Sequence, residues 1–360
     1  MPTSSLYDST RTALAARLPD VRASQLDTLA LVLVGITQSV SAQLGKIARA
    51  MPLNTTQVIK EQRLRRFLDN ERITQVEHYQ PLVKQALTGL KGQRVHLLID
   101  RVLLQDRHNI LLVSIGFRRR SIPLVWKALE HRGKSNLTDQ QELVRQALSL
   151  LPERVRVHVH GDSEFRGHAL FEWLRAQGCH ALLGVQGNTY VATAVQGPRQ
   201  LLKDWLVDRA TTVYLQEIYL TEDAYGPVNL IAWWAKDDDG KPIVRGVVSD
   251  LPATYQTYQW GGRRMWIETV FRDWQSGGFH LDRCGISDRD RVAHLLLPLA
   301  IAYLWLVSLG RWVVKKGYRR LIDDGSGQSW HFSLFQLGVG WKERLASYTQ
   351  AIPVLLYVYL

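Results

Sequence analysis

Cysteine is nearly absent: only Cys179 and Cys284 occur in 360 residues. Two cysteines make neither a metal-finger spacing nor a disulfide framework, which excludes a stapled scaffold and fits a reducing cytoplasm. The opening stretch MPTSSLYDSTRTALAARL lacks the charged-then-apolar layout of a signal peptide, so a cytoplasmic location is expected. No internal repeat and no low-complexity tract is visible. The longest apolar run, LLLPLAIAYLWLVSL at 295–309, is shorter than the ~20 residues of a spanning helix. It holds Pro298 and is flanked by His294 and Arg311. It is expected to be a helix buried in a protein core, without membrane contact. Acid is also in deficit. Lys and Arg outnumber Asp and Glu by 45 to 33, giving a net charge of +12 and a pI near 9.8. Such a balance points to a polyanionic partner, nucleic acid ahead of an anionic membrane.

What is present reads as two or three domains with 46% hydrophobic residues for a core. Residues 1–90 have helical patterning. In QVIKEQRLRRFLDNERI, Ile59, Leu64, Phe67 and Leu68 are expected to face inward while Lys60, Arg63, Arg65 and Arg66 face out. A basic outer face of this kind suits DNA phosphates and equally a solvated charged surface. From residue 94 the period changes to that of strands: RVHLLIDRVLL, NILLVSIGF and SIPLVW, with Arg118-Arg119-Arg120 at the last turn. A helix follows, LTDQQELVRQALSLL, with Thr138 or Asp139 expected as its cap. Then come the alternating strand RVRVHVHGD, the helix GHALFEWLRAQG and the strand HALLGVQ. Residues 187–258 hold further antiparallel strands, two of them joined through Asp239-Gly240. GGRRMWIETVFRDWQSGG is expected to be one helix ending at Gly277-Gly278.

Three carboxylates stand out by position. Asp100 closes VHLLID, Asp162 closes VRVHVHGD, and Glu268 sits in a helix among basic residues. Acidic groups at strand ends on one sheet edge are where α/β folds collect function. Crowded carboxylates repel unless cations lie between them, and Mg²⁺ prefers carboxylate oxygens with phosphate and water. A pair of such ions supports in-line phosphodiester displacement. An Asp at a strand end also serves as an ordinary turn or cap residue. Arg264 and Arg272 flank Glu268 by four residues, on its side of a helix; they can hold phosphate or merely pair with the Glu. His158 and His160 share the strand face of Asp162, and Glu164 is an alternative ligand. Trp233 and Trp234 are read either as base-stacking or as packing residues.

The segments LLIDRVLLQDRHNILLVSIGFRRRSIPLVW, VHVHGDSEFRG and GGRRMWIETVFRDWQSGGFHL together resemble the DDE transposases of bacterial insertion sequences. They resemble the group whose catalytic helix carries a Tyr-x2-Arg-x3-Glu-x6-Lys signature. The resemblance implies an α/β fold: an RNase H-like catalytic core (91–186 and 259–325) with a β-rich insertion (187–258). It also implies an N-terminal helical DNA-binding domain (1–90), leaving a C-terminal segment (326–360). It makes Asp100, Asp162 and Glu268 the catalytic metal ligands, with Mg²⁺ or Mn²⁺, two ions, as cofactor. Double-stranded DNA, both transposon end and target, is the implied partner, met by a homodimer in a nucleoid-associated synaptic complex. The DNA-contacting set is Arg264, Arg272, Arg263, Arg63, Arg65, Arg66 and Trp234. Arg264 stands at the signature Arg. The signature Tyr falls on Gly261, the Lys on Gln275, and a Thr usual after the first Asp on Val102. These departures leave an alternative reading, a catalytically impaired DNA-binding protein derived from such an element.

Overall fold

The computed structural model describes residues 2–221, 225–237, 239–325 and 330–356. Of the closing segment 326–360, residues 326–329 and 357–360 therefore lie outside the described residues, as does Asp238 of the expected DDDGK hairpin.

The first ninety residues are helical, as their apolar period requires: α1 (Pro2–Arg17), α2 (Ala23–Ser39), α3 (Leu44–Ala50), α4 (Gln57–Leu68), α5 (Gln75–His78) and α6 (Gln80–Ala86). Val40 in the left-handed region (φ 43) ends α2, so the long apolar stretch turns back on itself. In α4 the residues Leu64, Phe67 and Leu68 are buried. Ile59 departs from expectation: it is 50% exposed, because this turn of α4 presents Gln57 and Lys60 to its neighbours instead, bonding the Gly45 and Met51 carbonyls at 3.1 and 2.9 Å.

Among the described residues ten strands form one sheet: β1 (Arg94–Leu104), β2 (His108–Phe117), β3 (Arg120–Leu129), β4 (Arg156–Gly161), β5 (His180–Gln186), β6 (Tyr190–Ala192), β7 (Gln200–Leu201), β8 (Thr212–Leu220), β9 (Tyr225–Lys236) and β10 (Pro242–Ser249). Their order is β3-β2-β1-β4-β5-β10-β9-β8-β6-β7. β1 pairs antiparallel with β2 and parallel with β4, and β4 pairs parallel with β5. That order and polarity over the first five strands is the RNase H-like arrangement. The strands of 187–258 do not form a sheet apart. β10 pairs antiparallel with β5 and extends the same sheet.

Between β3 and β4 lies α7 (Leu137–Ser149), and between β4 and β5 lies α8 (His168–Ala176). The cap of α7 is Asn136, not Thr138 or Asp139: its side chain accepts the Asp139 amide at 2.8 Å. Asp139 instead pairs with Lys127 at 2.8 Å.

After β10 the chain forms α9 (Tyr255–Gly261), which starts inside the segment expected to be strands up to 258, and the single helix expected from Gly261 is broken into a tight turn of 3₁₀ helix (Gly262–Trp266) and α10 (Glu268–Trp274). The Gly261-Gly262 pair supplies little helix propensity, and here bonding shifts to three-residue spacing: Ile267 N–H donates to Arg264 O at 3.3 Å. The chain leaves α10 before the glycines, with Gly277 N–H returning to Arg272 O at 3.0 Å.

The apolar run belongs to the longer α11 (Arg289–Lys315). Its most apolar window is 89% buried, so it is a core helix around which α2, α12 (Leu334–Ser347) and β3 gather. A capping box of Ser333 and Gln336 starts α12.

Candidate active site

β1 and β4 run parallel with Leu98 opposite His160. Two residues further along each strand come Asp100 and Asp162, side by side just past the last paired position and on one face of the sheet. Asp162 leaves the strand and caps the following turn, accepting the Glu164 amide at 2.8 Å. The backbone of β5 must come close here. A Cβ at Gly184 would stand 3.0 Å from the Asp162 carbonyl carbon, so only glycine admits the turn. Glu268 opens α10, which the 3₁₀ turn holds over this face, and its side chain is 46% exposed.

Arg264 joins the group. One guanidinium nitrogen lies 2.9 Å from Glu268 Oε1 and another 3.5 Å from Asp100 Oδ2. Asp100 is nearly buried, and burial pushes its carboxyl up to about 7. Arg264 and the Arg101 amide oppose that shift, while the charges of Asp162 and Glu268 add to it. Asp100 therefore feels the charge of both other acids. Their donors are all carboxylate oxygens, the chemistry a hard dication takes. Among the described residues, however, no three His, Cys, Asp or Glu side chains stand close enough to share one ion as they are arranged. Arg264 neutralises Asp100 and Glu268 instead.

Glu164, the alternative ligand, is engaged elsewhere. It accepts Arg101 Nε at 3.0 Å and both the amide and hydroxyl of Ser135, at 2.8 and 2.7 Å. Burial raises its pKa, but these bonds outweigh it and hold the carboxyl below its usual value.

His158 and His160 do not face the acids as ligands. They belong to a buried histidine layer with His96, whose presence the period-two spacing from Asp100 signals in VHLLID. His96, His158 and His180 lie in one row across β1, β4 and β5. Arg263 donates to His96 Nε2, which leaves the proton on Nδ1 to reach His160 Nε2 at 2.8 Å. Nδ1 of His160 then carries a proton with no partner. The layer is neutral: burial first, then neighbouring positive charge from Arg263, brings His96 down to about 3. For His158 burial, then His180 and Arg94, does the same.

A cleft of about 640 Å³ opens beside Asp162 and Arg264 and runs to Lys203, Trp233, Trp234 and Arg245 of the added strands. Trp233 packs edge-on against Tyr258 at 5.1 Å, the packing reading of that residue. Trp234 lines the cleft with Arg209 at 6.0 Å from its ring. Gly261, at the signature Tyr position, also lines the cleft against Val247. Gln275 closes α10. Arg63, Arg65 and Arg66 are exposed on α4, away from these residues in the chain, and Arg272 lies one turn past Glu268 against Gly277.

Residues 129–305 match the family model described as a transposase DDE domain. The matched span holds Asp162 and Glu268 and begins after Asp100. No curated protein matches the chain. Among solved structures it is similar to a piggyBac transposase in a synaptic complex with hairpin DNA, with a TM-score of 0.47 and 10% identity over 96% of this chain and 78% of that one. It is also similar to the Marinitoga piezophila Argonaute in complex with guide RNA and target DNA, with a TM-score of 0.27 and 12% identity over 62% of this chain and 34% of that one. Likeness at this level bears on neither activity nor ligand.

Proposed function

We propose, from the premise that this chain carries a DDE transposase domain over residues 129–305, that it cuts and joins DNA at the ends of an insertion sequence. The observation that carries this reading is the neighbouring placement of Asp100 and Asp162 at the ends of β1 and β4, with Glu268 bridged to Asp100 by Arg264. Asp100, Asp162 and Glu268 would hold divalent magnesium or manganese, which supplies charge neutralisation for the pentavalent phosphorus and for the attacking and leaving oxygens.

Arg264 is positioned to exchange its carboxylate partners for a phosphate of the substrate. In the first step a water oxygen bonds to phosphorus at the element's end, the P–O3′ bond breaks, and a free 3′-hydroxyl leaves. In the second, that hydroxyl oxygen bonds to phosphorus of the opposite or target strand, displacing its 3′-oxygen. No covalent enzyme intermediate is needed. A homodimer would hold two ends together, in the cytoplasm at the nucleoid.

A strand-transfer assay on end-containing duplexes with Mg²⁺ tests the reading. Asp100→Asn, Asp162→Asn and Glu268→Gln are each expected to lose joining by at least about 10²-fold, the range seen when a charge-stabilising group is removed. Wild-type joining by either Asp variant sinks it. The ion pairs of Arg264 favour a second reading, a DNA-binding protein without cleavage. That reading requires DNA binding indifferent to EDTA and no metal-dependent nicking.

A further inference from the structure

β2 and β3 are joined by a two-residue turn, since Phe117 pairs with Arg120. Its residues are Arg118 and Arg119, at φ 48 and 65. Positive φ at both positions defines the hairpin turn that favours Asn-Gly, and long side chains are rare there. Both arginines are exposed. Among the described residues neither makes a hydrogen bond or ion pair; Arg118 has only a ring contact, 5.8 Å from the centre of Phe117. Arg311 of α11 lies close enough for the two positive charges to interact, and its Nε is buried with no acceptor. Arg118 and Arg311 thus lie close together, with Arg119 beside Arg118 in the strained turn, and among the described residues none of the three has an acid partner.

This patch is connected to the carboxylates. Asp100 pairs with Leu112 on β2, five residues before Phe117, which places the turn roughly 17 Å along the strand. Between them Trp266 lies directly on the strand, where a Cβ at Gly116 would be 3.0 Å from its ring. Arg263 stacks over Trp266 at 5.3 Å. That separation corresponds to about five base pairs of duplex.

We propose that Arg118, Arg119 and Arg311 form a docking surface for the phosphate backbone of duplex DNA flanking the cut site. The inference rests on the reading of the chain as a DNA-cutting enzyme and adds a separate contact region to it. Guanidinium groups without paired acids fit the phosphate charge of a duplex, and a turn that tolerates strain to present them is explained by such a ligand.

The test is equilibrium binding of the full chain to long duplex DNA of arbitrary sequence in EDTA, across a salt series. The variant carries Arg118→Asn, Arg119→Gly and Arg311→Gln; Asn-Gly is the preferred sequence for this turn, so folding is safeguarded. Each lost phosphate contact lowers the log–log salt slope by about 0.9. From about 50 to about 200 mM salt, the variant's affinity should therefore fall about 40-fold less than that of the wild type. An unchanged slope overturns the proposal. So does an unchanged slope accompanied by loss of binding to phosphatidylglycerol vesicles, which would make the ligand a membrane. Cleavage is read separately in the strand-transfer assay with Mg²⁺: a reduced slope with no joining by the wild type fails the cleavage reading alone, and an unchanged slope with joining intact fails this surface alone.

Discussion

At the scale of single residues, the histidine layer is the feature with the clearest consequence. His96 and His158 titrate near 3 when folded and near 6.5 when unfolded. Between those values the unfolded chain binds more protons, so stability is present in full above about pH 6.5 and is lost as pH falls toward about 3. His158 has no hydrogen bond to lose at Nδ1 and packs against Trp260 at 4.8 Å. His158→Phe is therefore expected to keep the packing and to reduce the steepness of acid unfolding between pH 6.5 and 4 by up to about one proton. Urea titrations at a series of pH values measure this, and an unaltered acid limb counts against a neutral buried His158. At the hairpin turn, left-handed geometry costs an ordinary residue about 1–2 kcal/mol. Arg118→Asn with Arg119→Gly should raise the melting temperature, whatever it does to DNA binding.

At the scale of elements, α10 is pinned by a buried network. Arg120 at the start of β3 bonds Asp273 of α10 and, at 3.2 Å, Tyr303 of α11; all three are almost wholly buried. Removing one partner strands a buried charge, a loss of about 3–5 kcal/mol. Asp273→Ala is expected to show that loss in urea unfolding, and Asp273→Ala combined with Arg120→Met to recover part of it. If the double variant is as unstable as the sum of its singles, the two charges are not coupled. The crossing of α11 and α12 is set by two glycines. A Cβ at Gly310 would lie 1.8 Å from Leu334 O and one at Gly338 1.9 Å from Leu306 O. Even Gly338→Ala should force the helices apart, at about 1–3 kcal/mol or more, readable as a drop in melting temperature.

At the scale of the whole molecule, charge and metal act on different steps. Net +12 would govern the proposed encounter with DNA, an attraction that weakens with salt, whereas the proposed chemistry depends on the acids of one sheet edge. EDTA is expected to abolish nicking while leaving metal-free DNA binding within about twofold, and added Mg²⁺ to restore nicking. Loss of binding in EDTA would instead assign the metal a role in folding or in docking.

Much of this molecule was legible in its sequence because it is set locally. The period-two runs around Asp100 and Asp162 give β1 and β4, and the glycine after α8 ends that helix. These follow from side-chain spacing and backbone preference alone. Other features had to wait for the fold. Sequence spacing carries no information about neighbours distant in the chain, so the pairing of Arg264 with Asp100, the Glu164–Arg101–Ser135 cluster and the contact of His96 with Arg263 were invisible. The break before Glu268 arose because the Gly261-Gly262 pair gives little helical support where the chain crosses the sheet. Ile59 was misplaced for a related reason: an amphipathic period identifies a helix face, and only the neighbouring elements decide how far along the helix that face is covered.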